Sequence, residues 1–98
     1  MQLKIHKSYR DVVAFCDSEL LGKYFEEGKL QLNMKESFYK GDELTNEQAQ
    51  EQMEDLAKED VTFNIVGKKA TEIALKAKII EKEGIKTVSG IPFALVLM

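Results

Sequence analysis

The chain has one cysteine, one proline, one histidine and no tryptophan among its 98 residues, and each scarcity closes a class of function. A single cysteine has no internal disulfide partner. With only one histidine beside it, a Cys/His zinc site would need several carboxylates or a second subunit to complete it. No metal or cofactor is therefore expected, and a reducing, cytoplasmic setting is. Long apolar runs are missing as well. The longest, Ile91–Met98, falls far short of the ~20 residues that cross a bilayer. The stretch Met1–Asp11 intersperses Lys4, His6, Lys7 and Arg10 with its apolar residues, so it offers no core of the length a signal peptide needs. A chain of this size is expected to form one domain, residues 1–98, burying roughly 60–70% of its unfolded surface, without a deep cleft between lobes.

Net charge is small and uneven in place. The net charge is −3, but residues 1–40 carry +1, residues 41–60 carry −7 and residues 61–98 carry +3. An acidic belt thus lies between two near-neutral or mildly basic parts, and the overall basic footprint of a nucleic-acid binder is absent.

The most informative stretch is Val61–Ile80. Val61, Phe63 and Ile65 alternate with the period of a half-buried strand. After Gly67 the spacing lengthens, and Ala70, Ile73, Ala74 and Ala77 fall on one helical face, while Glu72 and Lys76 lie four apart on the other. This predicts a strand, a glycine corner and a helix over 68–78. A second helix is predicted over 46–59: Thr45 and Gln48 have capping-box spacing, and Ala49, Met53, Leu56 and Ala57 follow at core-facing intervals. Burying Met53 and Leu56 contributes roughly 1.5–3 kcal/mol each, more than a surface ion pair.

Toward the N-terminus, Gln2–His6 and Asp11–Cys16 read as a hairpin around Lys7–Arg10. If His6 pairs with Asp11, then Leu3, Ile5, Val12, Ala14 and Cys16 share a face. Ser18–Tyr24 reads as a short helix or turn broken at Gly22, and Glu26–Lys29 as a polar turn into a strand at Leu30 and Leu32. Phe38 and Tyr39, before the turn signal Lys40–Glu43, are expected to pack on the sheet. Ile85–Val88 and Phe93–Met98 read as the remaining strands, with Pro92 marking an edge or a strand start. The unalternating run 93–98 predicts either a central strand or one covered by a second copy in a homodimer. The fold class is α+β: a mixed or antiparallel sheet with an N-terminal hairpin packed against two main helices.

Candidate chemistry is thin. In the register above, Cys16 and His6 lie on opposite faces, about five residues apart along the ladder or roughly 16 Å, too far for a nucleophile and its base. Cys16 then reads as a small buried hydrophobe and His6 as a surface residue. Asp17 offers a carboxylate for proton or metal chemistry, and Asp17-Ser18 before Glu19-Leu20-Leu21 is also how a short helix is capped. Glu47, Glu51, Glu54 and Asp55 make an outward acidic helix face without calcium-loop spacing, a solvated surface or a dock for a basic partner. At Gly67-Lys68-Lys69 the free amides of a helix start stand beside two lysines and could receive an anion or a partner. The spacing is not that of a nucleotide-binding loop, which has a second glycine and a lysine where Thr71 stands. No catalytic constellation emerges.

Four pieces, taken in order, carry a resemblance: CDSELLGKYFEEGKLQL (Cys16–Leu32), SFYKG (Ser37–Gly41), NIVG (Asn64–Gly67) and SGIPFA (Ser89–Ala94). Together they resemble a family of small archaeal proteins filed as a domain of unknown function, over nearly the whole chain. The resemblance implies a cytoplasmic α+β protein of about this length with no established activity, and it singles out Cys16, Asp17, Gly22, Asn64, Gly67 and Pro92. The family's last motif typically reads Pro-His-Ala, and here it is Pro92-Phe93-Ala94, so any catalytic or metal role resting on that histidine is not carried by this chain. Two functional expectations follow. The first is a non-catalytic binding module, its acidic helix or its Gly67–Lys69 corner contacting a macromolecular partner, either a protein or a translation-related ribonucleoprotein. The alternative is a small thiol- or carboxylate-dependent enzyme centred on Cys16-Asp17, which needs an exposed, low-pKa thiol.

Overall fold

A computed structural model describes residues 1–98. The chain runs β1 (Gln2–His6), β2 (Asp11–Cys16), β3 (Tyr24–Glu27), β4 (Leu30–Asn33), α1 (Glu36–Tyr39), β5 (Asp42–Glu43), α2 (Asn46–Leu56), β6 (Val61–Val66), α3 (Lys68–Lys76), β7 (Lys86–Val88) and β8 (Ile91–Leu97), with single 3₁₀ turns at Ser18–Leu20 and Lys82–Gly84. Six strands form one mixed sheet in the order β5-β1-β2-β6-β8-β7, and β3 and β4 form a separate hairpin. Only β2 and β6 are parallel, a pairing that needs a long crossover, supplied here by everything between Asp17 and Asp60. The expected α+β class and mixed sheet are observed. No helix is long and apolar enough to cross a membrane.

Both faces of the sheet are covered, each by a different kind of element. On one face α2 and α3 close a core that includes Leu3, Val13, Phe15, Phe63, Ile65, Met53, Ile73 and Ala94, with the Phe15 and Phe63 rings 6.3 Å apart between centroids. On the other face the β3–β4 hairpin and the single turn α1 close a smaller core around Ala14, Cys16, Leu32, Met34, Tyr39, Val66 and Val88. Strands buried on both faces lose the apolar–polar alternation, which is why Val13–Cys16 is an unbroken buried run.

The hairpin register differs from the expected one by a single residue. Gln2 pairs with Cys16, Leu3 with Phe15, Ile5 with Val13 and His6 with Val12. The cause lies in the connection: the Asp11 carboxylate accepts from the Ser8 amide at 3.2 Å and the Lys7 ammonium at 3.0 Å, which commits Asp11 to the turn and displaces the first cross-strand pair. A one-residue slip moves every side chain of the strand to the other face. Leu3 and Ile5 therefore face the helices with Val13 and Phe15, whereas Ala14 and Cys16 share the opposite face with His6.

Helix boundaries are shorter than expected. The Thr45–Gln48 capping box is present, but α2 ends at Leu56 and the next residues tighten into i→i+3 bonds at Lys58 and Glu59. The third helix ends at Lys76. Beyond it, Lys78 adopts φ 62° while the Lys78 and Ile79 amides reach back to the carbonyls of Leu75 and Ala74, the Schellman closure usually given to glycine. Two strand boundaries also moved. Tyr24–Glu27 is β3, so the turn shrinks to Gly28-Lys29, and β8 begins at Ile91, so Pro92 lies within it. The β7–β8 turn is then only Ser89-Gly90, both at positive φ (50° and 78°), as a two-residue hairpin turn of type I′ requires.

Candidate functional site at the ends of β2 and β6

The parallel strands β2 and β6 end side by side, and open sheets commonly bind ligands beyond such strand ends. Most of the residues singled out above meet here. Asp17 leaves β2 with its amide donating to the Val66 carbonyl at 3.1 Å. Its carboxylate then turns across the gap and accepts from the amides of Lys69 at 3.1 Å and Ala70 at 2.8 Å. These are first-turn donors of α3. Asp17 therefore supplies the capping carboxylate for a helix some fifty residues away, whose own N-cap residue, Gly67, has no side chain to do so, and it makes no side-chain bond to its own 3₁₀ turn, contrary to the local capping expected of it. The amides expected to receive an outside anion already hold an inside one.

Gly67 makes the corner possible. It sits at φ 118°, where a side chain is strained, and a Cβ built on it would fall 2.6 Å from each Asp17 carboxylate oxygen. Pro92 completes it. The Gly67 amide donates to the Pro92 carbonyl at 2.8 Å, but Pro92 has no N–H to return. The Gly67 carbonyl is consequently free to accept from the Thr71 amide at 3.0 Å and the Thr71 hydroxyl at 2.8 Å. The backbone exchanges a ladder bond for a helix bond at this residue, and β6 becomes α3.

The reactive side chains are tied off separately. Cys16 has no exposed surface; burial, reinforced by the neighbouring Asp17 carboxylate, pushes its thiol up to about 12. A thiol held that high is protonated at neutral pH and is no nucleophile. His6 lies four ladder positions from Cys16, roughly 13 Å, on the same face. The two do not meet, because of distance along the strand and not because of opposed faces. The imidazole instead stacks on Phe38 with centroids 4.5 Å apart and its Nε2 lies 2.8 Å from the Phe38 carbonyl, so His6 is a packed residue. Tyr39 is buried with its hydroxyl donating to Asn64 Oδ1 at 3.1 Å, and burial raises it to about 12. Gly22, at φ 78°, lies apart from the corner and donates its amide to the Met34 carbonyl. No three His, Cys, Asp or Glu side chains converge as metal ligands.

What remains accessible is charged. The side chains of Lys68 and Lys69 are exposed, with no carboxylate within salt-bridge range. A polar groove of about 230 Å³ runs between α2 and α3 past Glu47, Gln50, Lys69, Glu72 and Lys76. On the outer side of α2, Glu51, Glu54 and Asp55 are exposed, Glu47 adjoins them at the edge of the groove, and none of the four has a cation within 4.0 Å. A second polar network was not foreseen. Glu43 accepts from Gln2 at 2.7 Å and from Ser18 at 2.8 Å, and it pairs with the Met1 amine. The signal for it was the hydrophilic Gln2 in an otherwise apolar strand end.

No curated protein matches the chain. A crystal structure of an uncharacterized conserved protein from Methanopyrus kandleri is similar to it, with a TM-score of 0.84 at 24% sequence identity over 98% of this chain and 89% of that one; at this identity the likeness speaks for the fold. The family model described as "Protein of unknown function (DUF424)" matches residues 6–98. The resemblance read from the motifs therefore holds, and the chain belongs to this family of proteins of unknown function.

Proposed function

We propose that the protein is a non-catalytic binding module that docks a basic protein or ribonucleoprotein partner in the cytoplasm. The observation that carries this reading is the outer face of α2, four exposed carboxylates with no cation within 4.0 Å, on a protein whose one thiol is buried and whose one imidazole is packed on Phe38. Uncompensated charge on a rigid, well-capped helix steers a partner of opposite sign at little ordering cost. Lys69, which lines the neighbouring groove, and the exposed Lys68 beside it are the second element of the surface and meet acidic groups at the partner's rim. The reading predicts capture of a defined partner from lysate of the native source at low salt, lost as salt rises toward 0.5 M, as screening requires. Reversal of charge by Glu47→Lys with Glu51→Lys should abolish capture, and Lys68→Glu with Lys69→Glu should weaken it. Nuclease treatment separates a ribonucleoprotein, whose RNA-borne components disappear, from a direct protein contact. Capture unchanged by both pairs of substitutions would dispose of the reading.

An enzyme centred on Cys16-Asp17 requires an exposed thiol of low pKa. Cys16 is buried with its thiol raised, and Asp17 spends both carboxylate oxygens on α3.

A further inference from the structure

The β3–β4 hairpin stands apart from the rest of the molecule. It forms its own two-stranded sheet, and no backbone hydrogen bond joins Tyr24–Asn33 to another element. A lone hairpin is at best marginally stable in water, so contacts outside it hold it in place. Packing supplies few of them: of its strand residues only Leu32 is buried and Phe25 half-buried. Every side-chain hydrogen bond from the hairpin to the rest of the chain goes to one residue, Ser89 in the β7–β8 turn. The Ser89 amide donates to Glu27 Oε1 at 2.7 Å and its hydroxyl to the Glu26 carbonyl at 2.9 Å. Serine is an unusual occupant there, because at φ 50° a type I′ turn favours glycine or asparagine. It is also exposed, so water competes for both bonds. At its other end the hairpin joins the chain through Gly22 and Met34, paired by a bond from the Gly22 amide to the Met34 carbonyl at 2.7 Å. Gly22 is at φ 78° with open space where its Cβ would be, so backbone freedom, and not room, is what glycine supplies.

We propose that the β3–β4 hairpin is a flap: it swings about Gly22 and Met34 when Ser89 lets go, and uncovers the smaller core while the six-stranded sheet, α2 and α3 stay folded. The device uses neither the acidic face of α2 nor the lysine pair, so it stands or falls apart from the binding reading above. Two features make the motion separable. The two cores share no residue, so Phe15, Phe63 and the helices stay packed when Leu32 and Phe25 withdraw. The β7–β8 turn, which carries the latch, is kept in the sheet by its own strand pairing. Regions that open locally have few buried apolar contacts and solvent-reachable hydrogen bonds, and this hairpin has both. What the opening uncovers is apolar: Val66 and Val88 have no exposed surface while the flap is closed.

Two buried valines on opposite faces of the sheet test this in the full chain. Val88 lies under the flap and Val13 under the helices, each with no exposed surface. Val88→Cys and Val13→Cys, each combined with Cys16→Ala, are labelled by a soluble disulfide reagent, and each rate is divided by that of the same chain in concentrated urea. The thiol of Val88→Cys should react at least about tenfold faster than that of Val13→Cys, with little dependence on urea below the unfolding transition, because flap opening exposes little surface. The thiol of Val13→Cys should follow the full urea slope of global unfolding. Removing the latch with Ser89→Gly, which suits the positive φ, together with Glu27→Ala should speed labelling of Val88→Cys about tenfold. Equal corrected rates with one common urea slope would overturn the proposal, and so would a Val88→Cys rate that loss of the latch leaves unchanged. Amide exchange on the parent chain decides the matter where a cysteine variant does not fold. The paired amides of β3 and β4 should exchange at least about tenfold faster than those of β6, and equal protection would overturn the flap.

Discussion

The corner where β2 and β6 end and the outer margin of β8 are opposites. At the corner, the Asp17 carboxylate, the Gly67 carbonyl and the first amides of α3 are matched to one another without outside help. Along the margin, where β7 pairs no further than Phe93, Leu95 and Leu97 have no strand on their outer side and expose their side chains. In the sequence these places look the other way round. Cys16-Asp17 and Gly67-Lys68-Lys69 look like chemistry, and FALVLM looks like core. The lesson is that polar residues at sharp joints are the ones a fold consumes first, because a buried donor or acceptor left unmatched costs more than the matched bond contributes.

The contrast can be broken first at the corner. Gly67→Ala should destabilise the protein by about 3 kcal/mol, since it combines a strained positive φ with a methyl group driven into the Asp17 carboxylate; urea denaturation would show it, and a loss below about 1 kcal/mol would mean that the joint is looser than described. Asp17→Ala should cost about 2 kcal/mol through the loss of the cap, and Asp17→Asn distinctly less, because one acceptor oxygen remains. A purely local capping role at Ser18–Leu20 would not register as unfolding or faster amide exchange at Lys69 and Ala70, which is the readout to follow.

Cys16 offers a pH test of the same region. Its thiol rises from 9.0 to about 12 on folding, and the Tyr39 phenol from 10.0 to about 12. Both are held protonated in the folded chain, so the unfolded chain releases protons first. Stability is fully present below pH 9 and is lost as pH climbs toward 12. Denaturation midpoints across pH 8–11 should fall with a slope that Cys16→Ala makes shallower, and alkylation of the native thiol at pH 8 should be rate-limited by opening of the fold. Rapid alkylation would contradict the sealed position. The smallest effect belongs to the margin: Leu97→Lys should change stability by no more than about 0.5 kcal/mol. A large loss there would make Leu97 a core residue and erase the contrast.

Much of the fold was legible because it rests on periodicity and caps. The strand, glycine and helix of Val61–Lys76 and the Thr45 capping box depend on residues a few positions apart, and both appear as read. What was misread depends on partners far away in sequence. The slip in the β1–β2 register hinges on Asp11 being held by the turn, and periodicity does not distinguish a residue that pairs across strands from one that folds back on the loop. The strand β3 was missed because Tyr24–Glu27 gains its pairing only from β4 and packs its one half-buried residue, Phe25, under the larger sheet. Asp17 looked like a local cap because its composition suits one, and nothing near it in sequence announces Lys69 and Ala70. Pro92 reads from the sequence as an edge or a strand start, whereas it lies second in β8 and its missing N–H serves the corner at Gly67.

The middle position of β6 has a consequence for how the chain assembles. Its two neighbours are β2, some fifty residues before it, and β8, some thirty after it. While the chain is being synthesised, β6 emerges with one edge already provided for and the other bare until β8 follows, and the Gly67 joint also waits for Pro92. Sheets built from distant pairings form slowly. The interval between the emergence of β6 and of β8 is therefore when a nascent chain of this design is most exposed to pairing with the wrong strand.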